Sequence, residues 1–129
     1  MQIYIVEDSA AVRSRLAALL GEVPGAQVAG SAAGATQATR EILERRPQMV
    51  LLDLGLAEGG GFDVLRALRR DAPEIDVYML SNFSAYPYRQ LAERLGARGF
   101  FDKTREFERV REVVAAKARE NPCKPPSSS

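Results

Sequence analysis

The chain has 129 residues, with 18 basic and 17 acidic side chains for a net charge of +1, no histidine and a single cysteine. Such a length suits one domain that buries roughly two-thirds of its unfolded surface, and the balanced charge gives no global field for nucleic acid or an anionic membrane. Without histidine a Ser-His-Asp triad, a zincin helix and a phosphohistidine on the chain itself are excluded, and Cys123 has no internal disulfide partner.

Four short apolar runs stop on polar or charged residues. Ile3 to Val6 ends on Glu7 and Asp8, Met49 to Leu52 on Asp53, Val77 to Leu80 on Ser81, and Phe100-Phe101 on Asp102 and Lys103. Runs of this kind read as strands buried on both faces, hence as a parallel sheet. After the first run Ser9 can cap a helix whose Val12, Leu16, Leu19, Leu20 and Val23 recur at helical intervals, with Pro24-Gly25 as the break. Ala26 to Ser31 is a weaker, half-polar strand suited to a sheet edge. A helix from Gly34 to Arg46 carries Ile42 and Leu43 and stops before Pro47.

Beyond Asp53, a loop through Gly59-Gly60-Gly61 leads to a helix near Phe62 to Arg70, its inner face marked by Phe62, Leu65 and Leu68 and its end by Pro73. Ile75 to Leu80 is the fourth strand. Tyr86 to Leu95 reads as a helix with Pro87 in its first turn and Gly96 as its stop. Gly99 to Phe101 is the last strand, and Phe107, Val110, Val113 and Val114 line a final helix that runs from Arg105 to about Glu120. Residues 121–129 are Pro- and Ser-rich without apolar payload, which predicts a disordered tail. No apolar run approaches the ~20 residues of a spanning helix, and the first strand carries charge too early for a signal peptide. A cytoplasmic location is expected.

Five βα units with short loops and right-handed crossovers predict a flavodoxin-like α/β domain over residues 1–120: a five-stranded parallel sheet in order 2-1-3-4-5 with helices on both faces. In that architecture the carboxyl ends of the strands share one rim. Glu7, Asp8 and Asp53 would then repel, two unit charges ~4 Å apart at an effective dielectric of 20 interacting by about 4 kcal/mol. Such crowding calls for a cation, and hard oxygen ligands without sulfur or imidazole suit Mg²⁺. Lys103 can pair with Asp53, and Ser81 can donate to a phosphoryl oxygen. Together these groups describe a carboxylate that attacks phosphorus.

On these residues the chain resembles the receiver domain of two-component response regulators, over residues 1 to about 120. The resemblance implies that Asp53 is the phospho-acceptor and that Mg²⁺ is held by Asp8 directly, by Glu7 through water, by Asp53 and by the Gly55 carbonyl. It further implies Ser81 as the switch hydroxyl, Phe100 as the aromatic that changes rotamer, and Lys103 as the lysine that neutralises developing charge. The implied phosphoryl donor is a histidine kinase, a phosphotransfer protein or a small acyl phosphate. The implied recipient is a downstream protein or a severed output domain, and a homodimer on activation is left open. A helix-turn-helix has no room here, so neither nucleic acid nor membrane is an expected partner, and the only expected catalysis is of its own phosphorylation and dephosphorylation.

Four departures from the family pattern stand near the acceptor. Ala57 replaces a usual proline, the glycine triplet loosens the same loop while Gly61 keeps its place, Thr104 replaces a proline after Lys103, and Asn82 replaces a small residue. An altered phosphoryl lifetime is the expected result. The competing readings are a receiver-like binding module that is never phosphorylated, an Asp-nucleophile phosphatase of the haloacid dehalogenase type, and a flavin carrier. The phosphatase lacks its second aspartate, since Gly55 stands there, and Glu7-Asp8 would repel a flavin phosphate. Tyr86, Pro87, Tyr88 and Arg89 read either as a docking patch or as ordinary amphipathic exposure.

Overall fold

The computed structural model describes residues 1–56, 60–82 and 86–120. The expectations for Ala57 and Gly59 and for the tail 121–129 lie outside the described residues. Ten elements alternate: β1 (Gln2–Val6), α1 (Ala10–Gly21), β2 (Gln27–Ala32), α2 (Ala35–Arg45), β3 (Met49–Asp53), α3 (Gly61–Asp71), β4 (Asp76–Ser81), α4 (Tyr86–Arg94), β5 (Gly99–Asp102) and α5 (Phe107–Glu120). The five strands form one sheet in order β2-β1-β3-β4-β5, every neighbouring pair parallel. This is the doubly wound topology predicted from the alternation of runs. No helix among the described residues is long and apolar enough to cross a membrane.

Because successive side chains on a strand point to opposite faces, each strand feeds two cores. Tyr4, Val6, Val50, Leu52, Val77 and Met79 pack beneath α2, α3 and α4, against Ile42, Leu65, Leu68 and Ala92 among others. Ile3, Ile5, Met49, Leu51, Leu80 and Phe101 pack beneath α1 and α5, against Leu16, Leu20, Val110 and Val114. The central strand β3 is buried at all five positions, whereas edge strand β2 exposes half of its length, as its polar pattern predicted. A bulge between Ile3 and Tyr4 shifts β2 by one residue, and the strand ends on buried Ala32 rather than on Ser31.

Helix ends follow ordinary capping chemistry. Ser9 caps α1 by accepting the Val12 N–H, and Gly96 stops the chain after α4 at φ 95°, a value that favours glycine. Two inner faces are rotated from expectation. In α3 the buried stripe is Gly61, Val64, Leu65 and Leu68, at helical spacings of three and four, so Phe62 falls at its margin and is half-buried. In α5 it is Phe107, Val110, Val114 and Ala118, with Val113 at the margin.

Gly61 has a reason beyond the helix start. A Cβ there would stand 2.3 Å from the Asp53 carbonyl oxygen and 2.9 Å from the Leu54 Cα, both backbone atoms that cannot turn aside. Gly61→Ala is therefore expected to push the β3–α3 connection off the sheet rim and to lower stability by about 1–3 kcal/mol in urea unfolding. A substitution without effect would show that this approach is not tight in solution.

Candidate functional site

Register brings the predicted residues to one rim. Val6 is aligned with Leu52 and Asp53 with Leu80, so Glu7, Asp53 and Ser81 leave adjacent strands side by side. The Lys103 N–H donates to the Ser81 carbonyl at 2.9 Å, which fixes the chain that carries the lysine. Glu7 is 0%, Asp53 3% and Ser81 1% exposed, while Asp8 stands open to solvent. One carboxylate oxygen from each of Glu7, Asp8 and Asp53 lies within 4.8 Å of the others.

Lys103 Nζ is 3.1 Å from Asp53 Oδ1 and is also hydrogen-bonded to Glu7 Oε1. Sequence reasoning anticipated the first contact and missed the second. The other Glu7 oxygen accepts the Ser9 N–H at 3.0 Å, and the Glu7 carbonyl accepts from Arg13 at 2.7 Å. Asp53 Oδ1 also accepts the Gly55 N–H at 3.1 Å, which turns the chain back over the acidic group. Gly55, Ser81, Asn82 and Thr104 join these residues around a cavity of about 340 Å³ that Arg15 and Phe107 also line.

At a separation of 4.8 Å and an effective dielectric of 20, each ionised carboxylate pair costs about 3.5 kcal/mol. Burial pushes the Glu7 carboxyl up, against the pull of its bonds to Lys103 and to the Ser9 N–H. Burial alone would lower the Lys103 ammonium, but the Glu7 hydrogen bond and the Asp53 charge outweigh it and hold the lysine protonated. One lysine among three carboxylates leaves the rim short of positive charge. Three hard oxygen donors that converge in this way fit a divalent cation of the magnesium type.

The loop that carries Lys103 turns on Asp102. Asp102 Oδ1 accepts the Thr104 N–H at 2.8 Å, the Thr104 hydroxyl at 2.6 Å and the Arg105 N–H at 3.1 Å, so an aspartate-centred turn closes this loop.

Phe100 and Phe101 divide between the two faces. Phe101 is 4% exposed and stacks on Tyr78, whereas Phe100 is half-buried beneath α4 with the Arg89 guanidinium 4.9 Å from its ring centroid. Arg89 also donates to the Phe100 carbonyl at 3.2 Å and pairs with Glu106 at 2.8 Å. Glu106 in turn accepts the Asp102 N–H at 3.0 Å. Arg89 thus turns back onto the last strand, while Tyr88 stays 44% exposed. A larger cavity of about 620 Å³ opens between α4 and β5 beside this contact, lined by Arg89 and Phe100 but by none of the rim carboxylates.

The Arg89 guanidinium and the Asp102 N–H hold the Glu106 carboxyl below the usual carboxylate range. A lowered carboxylate stabilises the fold above its unfolded pKa of about 4.3, and that contribution is lost as pH falls through the folded value. Glu106→Gln is expected to cost less than about 1 kcal/mol at pH 7, since the pair is partly solvated, and the difference from the unaltered chain should begin to shrink below about pH 4.3 and disappear once pH has fallen through the lowered folded value. Urea unfolding across this range checks it. A difference that does not change with pH would show that the ion pair contributes nothing.

The fold and the rim together define a class: doubly wound α/β domains that gather acidic groups, a lysine and a hydroxyl at the carboxyl edge of the sheet. A sequence profile described as the response regulator receiver domain matches residues 3–115, and the chain belongs to that family. Among curated proteins it is 27% identical over 103 residues to the response regulator GacA of Pseudomonas viridiflava, covering 80% of this chain and 48% of that protein. It is 30% identical over 141 aligned positions to protein-glutamate methylesterase/protein-glutamine glutaminase 5 of Anaeromyxobacter dehalogenans, covering 100% of this chain and 38% of that one. The chain thus spans less than half the length of these relatives. In three dimensions the response regulator domain of Thermotoga maritima CheB superposes with a TM-score of 0.81 at 24% identity, over 93% of this chain and 94% of that one. A LuxR-family two-component response regulator from Aurantimonas gives 0.77 at 25% identity, over 89% and 85%.

Proposed function

We propose that Asp53 is the phospho-acceptor of this receiver domain, with Lys103 and Ser81 as the groups that receive the transferred phosphoryl oxygens. The observation that carries the reading is the buried Asp53 carboxylate, 3.1 Å from Lys103 Nζ and within 4.8 Å of two further carboxylates. Asp8, Glu7, Asp53 and the Gly55 carbonyl would hold Mg²⁺, which when bound neutralises carboxylate and phosphoryl charge. Glu7 serves Lys103 first, because one of its oxygens faces the lysine and the other the Ser9 N–H. Its part in holding the ion is then indirect.

A phosphohistidine of a kinase or phosphotransfer protein, or a small acyl phosphate, supplies the phosphoryl group. The added charge of about −1.5 to −2 draws the Ser81 hydroxyl and Lys103 toward the acceptor. Moving a 1:99 population to 99:1 takes ~5.5 kcal/mol of preference, within reach of two or three charge-assisted hydrogen bonds in a partly buried site. Phe100 then moves inward, which requires Arg89 to release it and alters the face made by α4, β5 and α5. That face is the surface offered to a protein target, an attached output domain or a second copy of the chain. Asn82, exposed at the cavity mouth, adjusts how long the phosphoryl group survives.

Incubation with acetyl phosphate and Mg²⁺, followed by intact mass measurement, tests the reading. One phosphoryl adduct is expected, and chelation of the metal should prevent it. A chain that never gains the adduct would instead be a binding module that keeps the fold without the chemistry.

A further inference from the structure

Arg15 lines the same cavity as Asp53, Ser81 and Lys103, although it lies two turns along α1 from Asp8. Its guanidinium carbon sits 4.1 Å from the centroid of the Phe107 ring, which is 9% exposed at the start of α5. A guanidinium stacked on an aromatic face keeps its charge, its donors and a restricted direction. Arg109 and Arg111 direct their charge to glutamates 2.7 and 3.0 Å away. Arg15 makes no ion pair among the described residues, and both it and the Phe107 ring that its guanidinium stacks on line the cavity.

Attack by an Asp53 oxygen on phosphorus places the leaving group in line, on the side away from the acceptor. Asp53 is on the cavity floor at 3% exposure, so the leaving group departs toward the mouth, where the exposed residues are Asp8, Arg15, Gly55, Asn82 and Thr104. Of these five only Arg15 is cationic. We infer that Arg15 is a specificity residue that favours phosphoryl donors whose leaving group is an anion, namely acyl phosphates. The inference rests on Asp53 as the acceptor. With an acyl phosphate, the Asp53 oxygen–phosphorus bond forms, the phosphorus–acyl oxygen bond breaks, and a carboxylate departs with the electron pair. With phosphoramidate the phosphorus–nitrogen bond breaks and neutral ammonia departs with the protons it already carries. Arg15 stabilises the first departure and gains nothing from the second.

The experiment measures the rate of Asp53 adduct formation from acetyl phosphate and from phosphoramidate, with Mg²⁺, for the unaltered chain, Arg15→Ala and Arg15→Lys. Alanine is the best helix former and Arg15 is exposed, so the fold is retained, and the phosphoramidate adduct itself reports a working acceptor. The ratio of the acetyl phosphate rate to the phosphoramidate rate is expected to fall about threefold to fivefold in Arg15→Ala, the scale of a partly solvated charge contact, and to recover in Arg15→Lys. An unchanged ratio in Arg15→Ala, or an equal fall in Arg15→Lys, overturns the role of the charge while leaving Asp53 as acceptor. No adduct on the unaltered chain from either donor overturns the acceptor assignment and this inference together.

Discussion

Lys103→Met is expected to lower folding stability by about 3–5 kcal/mol in the absence of added metal, the largest single loss at the rim. The lysine side chain is 10% exposed and bridges Glu7 at 0% and Asp53 at 5%, so its removal leaves two buried carboxylates facing each other. Methionine fills the volume, which confines the loss to charge. Glu7, already pushed up by burial, would take a proton first once its partner is gone. A folded value raised in this way stabilises the protonated form, so the deficit should shrink as pH falls from 7 toward 5. Glu7→Gln in the same chain should restore much of the loss, because it removes one of the two unpaired charges. Urea unfolding of the single and double variants checks this, and a loss under about 1 kcal/mol would mean that Lys103 is not what compensates the cluster.

Asp53→Asn should abolish phosphoryl uptake from every donor, because an amide offers no anionic oxygen to attack phosphorus; losses from deleting a nucleophile run on the order of 10⁶-fold. The fold should survive. Asparagine keeps an oxygen for the Gly55 N–H, and Lys103 retains its bond to Glu7 while one member of the crowded acidic group loses its charge. Stability is expected within about 1 kcal/mol of the unaltered chain, since relief of repulsion and loss of the lysine contact oppose each other. Intact mass and urea unfolding read the two effects separately. An adduct that persists in a folded Asp53→Asn chain would place the acceptor elsewhere.

The strand ends were legible in the sequence because a strand covered on both faces is apolar along its length and must become polar where it reaches solvent or a site. That rule alone brought Glu7, Asp53, Ser81 and Lys103 to a common rim, and the parallel register does the rest. Pairing among those residues was not legible. Nothing in residue order says that Lys103 reaches Glu7 as well as Asp53, because the length of the side chain, not its position in the sequence, decides which carboxylates it spans.

Helix rotation was the second hidden quantity. Val12, Leu16 and Leu19 mark the inner stripe of α1, and Arg15 stands three residues after Val12 and four before Leu19, at the border of that stripe. A charge at such a border, opposite an aromatic at the start of α5, was the signal available, and it becomes readable only once α1 and α5 are known to share a face. Arg89 was visible as part of an exposed aromatic and basic helix start. Its return to Phe100 and Glu106 depends on where α4 lies against β5, which propensity and periodicity do not encode.

The acceptor can be located directly. After acetyl phosphate and Mg²⁺, reductive trapping of the acyl phosphate followed by peptide sequencing by mass spectrometry should find the label on Asp53 alone, and chelation of Mg²⁺ should remove it. Label on Asp8, Glu7 or any other residue, or labelling indifferent to the metal, would contradict the assignment.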